Sequence, residues 1–207
     1  MSQVLDELLS EIERRAHGSA RLLVGVAGPP GAGKSTLADR LHEILTQRGQ
    51  RSAILPMDGF HLDNAILEQR GDLARKGAPH TFDVRGLSDL LRAVKVGGEV
   101  FVPVFDRSRE LAVAAARCIG PEDRIVIAEG NYLLLDQGRW AGLADLFDLT
   151  VMVAPPIEEL ERRLIARWVH YGLTPAQIEA KVESNDLPNG RLVLERSRAA
   201  DFTFDLF

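Results

Sequence analysis

The sequence predicts an α/β fold in which a mainly parallel sheet of about five strands carries helices on both faces. Two observations predict it. Short apolar runs alternate with longer stretches of helical periodicity along the chain, the pattern left by parallel strands joined through helices. The runs themselves are aliphatic or β-branched almost throughout, as strands covered on both sides must be.

The clearest strand runs are residues 22–27, 53–57, 125–128 and 149–153. A further run at 101–105 contains Pro103, which cannot donate to a ladder and therefore places this run at a sheet edge or strand end. Phe202, Thr203 and Phe204 add a last short strand. Helices are predicted over 3–16, 34–48, 86–96, 156–170 and 190–198. Val4, Leu5, Leu8, Leu9 and Ile12 recur at helical spacing in the first, and Leu37, Leu41, Ile44 and Leu45 in the second. Pro155 and Pro156 suit a helix start, where a missing N–H costs nothing. Residues 59–85 carry turn formers and mixed charge without a strong period, and are read as a substrate-facing insertion. The 207 residues suffice for one substantial core and leave little room for a second, so the whole chain is expected to form a single domain.

Composition narrows the function classes. The formal net charge is −5, which argues against duplex nucleic acid as a partner, since that needs a basic face. No stretch approaches the ~20 apolar residues of a membrane span, so no membrane insertion is expected. The N-terminal segment is interrupted by acidic residues and does not resemble a signal peptide. A single cysteine, Cys118, allows no internal disulfide and fits a reducing compartment. Together these predict a cytoplasmic protein.

The chemistry begins at Gly28-Pro29-Pro30-Gly31-Ala32-Gly33-Lys34-Ser35. It fits Gly-x-x-x-x-Gly-Lys-Ser, and it stands between an apolar strand and an amphipathic helix, as that pattern requires. Glycines let the backbone curl so that its N–H groups face a phosphate, and the helix N-terminus adds favourable partial charge. Lys34 is expected to reach the β- and γ-phosphates, and the Ser35 hydroxyl to coordinate Mg²⁺. The candidate nucleotide-binding residues are Gly28, Gly31, Ala32, Gly33, Lys34, Ser35 and Thr36. The architecture is then a three-layer P-loop NTPase fold, with ATP and Mg²⁺ as the implied cofactors.

A kinase, a GTPase switch and an ATPase motor or regulatory module all use such a loop. None of the four lysines follows an asparagine, so the guanine-reading Asn-Lys-x-Asp motif is missing, and a motor normally needs more chain. Two carboxylates at strand ends favour a kinase, because open α/β sheets bind ligands at that rim. Asp58 follows the second strand and could accept the proton of an attacking hydroxyl. Its plain alternative is a turn-forming Asp before Gly59. Glu129 ends a later strand and, with Ser35 and Asp58, completes a candidate metal set; a solvated strand-end acid is its plain alternative. Arg163 and Arg167 share one face of the helix after Pro156 and suggest a lid over residues 163–190 that closes on transferring phosphate. Pairing of Glu159 with Arg163 at i,i+4 is the competing account.

Several motifs together resemble the uridine kinase, phosphoribulokinase and pantothenate kinase group of P-loop kinases. They are residues 28–35, Met-Asp-Gly-Phe-His at 57–61, Arg-Lys-Gly-Ala-Pro-His-Thr-Phe-Asp at 75–83, Pro-Val-Phe-Asp-Arg at 103–107 and Ala-Glu-Gly-Asn-Tyr-Leu-Leu-Leu at 128–135. The sequence looks most like the fructose-transport-system kinase branch. The resemblance implies Asp58 as catalytic base, Glu129 beside the metal, Arg163 and Arg167 in a lid, and Phe82 and Asp83 beside the substrate. It also implies five parallel strands and frequent assembly as a homodimer. Uridine kinases carry Asp-Ser-Phe-Tyr where this chain has Asp58-Gly59-Phe60-His61, and a tyrosine where it has Phe105. His61, His80, Arg107 and Arg109 offer polar reach instead, which suits a sugar or another polyhydroxylated small molecule. His61, His80, Phe82, Asp83, Phe105 and Arg107 are the candidate substrate residues. The expected activity is ATP-dependent phosphorylation of a small-molecule hydroxyl. Nucleoside or pantothenate acceptors, and a non-catalytic nucleotide-binding regulator of a transport system, are the alternatives.

Overall fold

The computed structural model describes residues 2–205. Helix α1 (Ser2–Gly18) leads into β1 (Leu22–Ala27), the phosphate loop and α2 (Lys34–Gln47). Then follow β2 (Ser52–Pro56), α3 (Asn64–Arg70), α4 (Val84–Val96), β3 (Val100–Asp106), β4 (Leu111–Ile119) and β5 (Ile125–Gly130). The chain continues through β6 (Leu149–Val153), α5 (Ile157–His170), α6 (Pro175–Lys181), α7 (Leu187–Arg196) and β7 (Phe202–Phe204). No helix among the described residues is long and apolar enough to cross a membrane.

Five strands form one parallel sheet in the order β2-β5-β1-β6-β7, as the alternation of runs predicts. Because successive side chains alternate across a strand, the sheet divides the core in two. Val24, Val26, Ile127, Val151 and Val153 pack on one face with Leu8, Leu9 and Ile12 of α1 and Leu37, Leu41 and Leu45 of α2. Leu23, Leu55, Val126, Ala128 and Met152 pack on the other with Leu87, Leu91 and Val94 of α4. A third, small cluster of Leu164, Ile178, Val182 and Leu187 ties α5 to α6 and α7.

Register aligns the strand ends. Ala27 pairs with Gly130 and Met152, and Pro56 pairs with Glu129, so the residues leaving β1, β2 and β5 meet at one rim.

The structure differs from the sequence expectation in three places. The 101–105 run is not an edge of the main sheet. Strand β3 pairs antiparallel with β4 in a separate two-stranded hairpin. Pro103 is accommodated where the register shifts between Val102 and Val104, so its missing donor breaks no regular ladder. Met57 is not the end of β2 but the first residue of a 3-10 turn, Met57–Phe60, and this turn swings Asp58 over the rim. Thirdly, α6 and a π-helical turn, Val182–Asp186, precede α7, which therefore begins before residue 190.

The 59–85 segment is ordered by local caps and a pinned base. Asp63 caps α3 by accepting from Ala65 N at 2.9 Å, and Asp83 caps α4 by accepting from Gly86 N at 2.9 Å. An isolated antiparallel bridge joins His61 to Phe82, with Leu62 N donating to Thr81 O at 3.0 Å and Asp83 N to Phe60 O at 2.8 Å.

Candidate active site

The phosphate loop adopts the curl its glycines permit. A Cβ on Gly28 would collide with the Val153 carbonyl oxygen, and Gly31 takes a left-handed φ of 78°, open to glycine at no steric cost. Ala32 N donates to Pro29 O at 3.1 Å, closing the turn. The loop then enters α2 at Lys34, whose ammonium is buried and donates to Pro29 O at 2.8 Å.

A cavity of about 390 Å³ opens over the rim, within the range of small-molecule sites. Gly31, Gly33, Lys34, Ser35 and Thr36 bound one side, and Asp58, His61, Phe105 and Arg107 another. Glu129 lies on the floor and Arg167 enters from α5. Residues from five separate segments thus converge where the strand ends align.

The charges in this cavity act on one another. Burial pulls the Lys34 ammonium down to about 8, against the pull of Glu129 and Asp58. Burial also pushes the Glu129 carboxyl up to about 7, and the Asp58 charge adds to this, while Lys34 and a hydrogen bond from Ser35 oppose it. Asp58 itself accepts from Arg107 Nη2 at 2.6 Å. Arg107 sits in the β3–β4 turn, which Asp106 fixes by accepting from Ser108 N at 2.9 Å and Arg109 Nε at 2.7 Å. Arg109 is thereby turned to Asp106 and away from the cavity.

His61 lies between Phe82, at a ring separation of 4.1 Å, and Phe105, at 4.8 Å. Burial lowers its imidazole to about 4, so it is neutral at physiological pH. Its Nδ1 is buried without a partner among the described residues, and its Nε2 stands 3.9 Å from Asp58 Oδ1.

Not every sequence candidate reaches the cavity. His80 is half exposed and pairs with Asp72 at 3.3 Å. Asp83 is spent on capping α4, and Phe82 lies beneath His61. Arg163 is held by Glu159 Oε1 at 2.6 Å and by the Ala32 carbonyl at 3.0 Å, outside the lining. Glu129 and Ser35 are near enough to hydrogen-bond each other, a pair of oxygen ligands that suits Mg²⁺ carried in on phosphates. No cluster of three or more His, Cys, Asp or Glu side chains among the described residues forms an all-protein cage.

Other lining residues escape the sequence reading. Asn185 and Asn189 are almost completely buried yet line the cavity. Asn185 Nδ2 donates to Lys76 O at 3.0 Å, and Asn189 Nδ2 donates to Asn185 Oδ1 at 3.2 Å. Asp186, beside them, accepts from Trp168 Nε1 at 2.6 Å, and burial raises its carboxyl. The π-helical turn 182–186 sets their direction; such turns are frequent at functional sites. Lys76 and Asn131 complete this wall. Both lie inside motifs quoted above, which was the available signal for them; residues 185–189 fall inside the expected lid, 163–190, but no motif singled out their side chains.

Comparison with known proteins agrees with this arrangement. Residues 23–186 match the Phosphoribulokinase / Uridine kinase family. YggC of Escherichia coli K12, a protein of uncharacterised function, is 39% identical over 188 residues, covering 90% of this chain and 78% of its own. A Schizosaccharomyces pombe protein provisionally named a uridine kinase is 32% identical over 194 residues, covering 89% and 83%. The crystal structure of a Silicibacter protein provisionally named a fructose transport system kinase superposes with a TM-score of 0.86 at 44% identity, over 89% of each chain. Phosphate loop, rim carboxylates and family match coincide within one stretch of sequence, and the chain belongs to the phosphoribulokinase and uridine kinase family of kinases.

Proposed function

We propose that this chain transfers the γ-phosphoryl group of ATP to a hydroxyl of a small polyhydroxylated acceptor of the sugar type. The observation that carries the reading is the placement of Asp58. Its carboxylate shares one cavity with the phosphate loop and is oriented by Arg107 at 2.6 Å. A hydroxyl bound between Asp58 and the loop would give up its proton to the Asp58 carboxylate as its oxygen forms the new bond to phosphorus. The bond from phosphorus to the β-phosphate oxygen breaks in the same displacement, and ADP leaves. Such transfer depends mainly on positioning and charge stabilisation. Lys34 and Arg167 supply positive charge at the transferring group. Ser35 and Glu129 would hold Mg²⁺, which neutralises the phosphates.

The other wall supports this acceptor class. Asn131, Asn185 and Asn189 offer neutral amides, and His61 a neutral imidazole, beside Lys76 and Asp186. Amides, which both donate and accept, beside a carboxylate that accepts and an ammonium that donates, suit several hydroxyls at once. The name of the Silicibacter relative is consistent with a sugar. Trp168 of α5 and Asn185 and Asp186 of the 182–186 turn line the cavity, which supports a role for them in the lid.

The test is ADP release over a panel of hexoses, pentoses, nucleosides and pantothenate, with wild type and Asp58→Asn. Turnover with a sugar, lowered about 10²–10⁴-fold by the substitution, is expected. No turnover with any acceptor, or full turnover in the variant, would sink the reading.

A further inference from the structure

Arg163 lies one turn before Arg167 on α5 but serves a different surface. Its Nε donates to Glu159 Oε1 at 2.6 Å, and its Nη1 donates to Ala32 O at 3.0 Å, with Gly31 O at 3.5 Å. The next residue packs at the same point, for a Cβ on Gly31 would stand 3.3 Å from Leu164 Cγ. The apex of the phosphate loop therefore rests on the middle of α5, through one apolar side chain and one charged donor.

We propose that Arg163 is a positioning residue that braces the phosphate loop from outside and acts on nucleotide phosphates through the loop backbone. This rests on the reading that the loop binds a nucleotide. The Ala32 carbonyl belongs to the same peptide unit as the Gly33 N–H. A guanidinium on the oxygen side polarises that unit and strengthens the donor on its other side, where phosphate would sit. It also fixes the direction of the N–H, because the unit is planar. Glu159 holds the guanidinium in place; hydrogen bonds from Arg162 and Arg163 keep its carboxyl down at about 2, so the hold persists across the working pH range. Helix α5 thus has two functions along its length. Its first half supports the donor loop, and its second half presents Arg167 to the cavity.

The experiment titrates a fluorescent ATP analogue with Mg²⁺ into wild type, Arg163→Gln, Arg163→Lys and Glu159→Gln. Inorganic tripolyphosphate and adenosine serve as competitors, and the unfolding midpoint of each nucleotide-free protein is measured. Arg163→Gln should weaken the analogue and tripolyphosphate in parallel, by about tenfold, and leave adenosine competition unchanged. Arg163→Lys should recover most of the loss, since an ammonium can reach the same carbonyl. Equal affinity in Arg163→Gln overturns the proposal, as does a loss that tracks a lowered unfolding midpoint and is not rescued by lysine. Should Arg163→Gln fail to fold, Glu159→Gln decides: about threefold weaker tripolyphosphate binding supports the brace, and unchanged binding overturns it. Wild type that binds neither the analogue nor tripolyphosphate overturns the kinase reading itself, and the brace with it.

Discussion

The two sides of the cavity are built in opposite ways. The donor side comes from one continuous stretch, β1 to α2, in which the loop shape follows from local glycines and a helix start. The proposed acceptor side gathers Asp58 from a 3-10 turn, Arg107 from a hairpin, Lys76 from a long connection and Asn185 and Asn189 from a π-helical turn and the helix after it. A contiguous site can be specified by a short motif. A gathered one depends on every element that packs beneath it. The donor side is therefore suited to remain constant, and the acceptor side to vary with the elements that carry it.

The largest effect that would break this division is expected at Lys34. Lys34→Ala should lower ADP release about 10²–10³-fold, with or without a favoured acceptor. A loss that appears only with certain acceptors would mean the two sides are not separate. Next comes Glu129, where burial makes the charged form costly. Its folded pKa of about 7 lies above the 4.5 of a free glutamate, so its contribution to stability is fully present below about pH 4.5 and is lost as pH rises through 7. With EDTA present and no nucleotide, Glu129→Gln should therefore stabilise the protein at pH 8 by about 1–3 kcal/mol. Urea unfolding should show that gain shrinking towards pH 4.5; a constant gain would exclude titration as its source.

Smaller effects sharpen the acceptor side. Asn189→Ala should raise the KM for the acceptor about 3–10-fold, the scale of one or two lost hydrogen bonds, and leave the KM for ATP unchanged. A raised KM for ATP would move this wall to the donor side. The smallest effect is expected at His80, which pairs with Asp72 away from the cavity. His80→Ala should keep kcat/KM within about twofold of wild type in the same assay.

These differences also explain what the sequence disclosed. The main sheet was legible because its central strands β1, β5 and β6 are buried on both faces and almost wholly aliphatic. Strand β4 was not. Its Ala112, Ala114, Ala115 and Ala116 have weak strand propensity, and it becomes a strand only because β3 lies beside it. The phosphate loop, Asp58 and Glu129 were legible from motif and strand-end position. Arg163 was ambiguous, because helical spacing shows which residues share a face but not what that face meets. His80 and Asp83 were expected at the substrate, yet both are committed to local partners. Asn185 and Asn189 fell inside the expected lid, but nothing in their own neighbourhood marks their side chains until α5, α6 and the Lys76 connection fold around them.

The bridge between His61 and Phe82 has a consequence for how this molecule can change. It brings together the two ends of a stretch that includes α3, within which residues 68–74 are mostly exposed while Lys76 and Gly77 are tied to the cavity wall through Asn185 and Tyr132. Lengthening such a loop twofold costs only about 0.6 kcal/mol in closure entropy. Residues 68–74 can therefore be lengthened or exchanged without moving the sheet or the rim carboxylates. A library that randomises residues 68–74 while keeping the bridge residues, Leu67 and Lys76 would be a direct route to variants that phosphorylate new compounds.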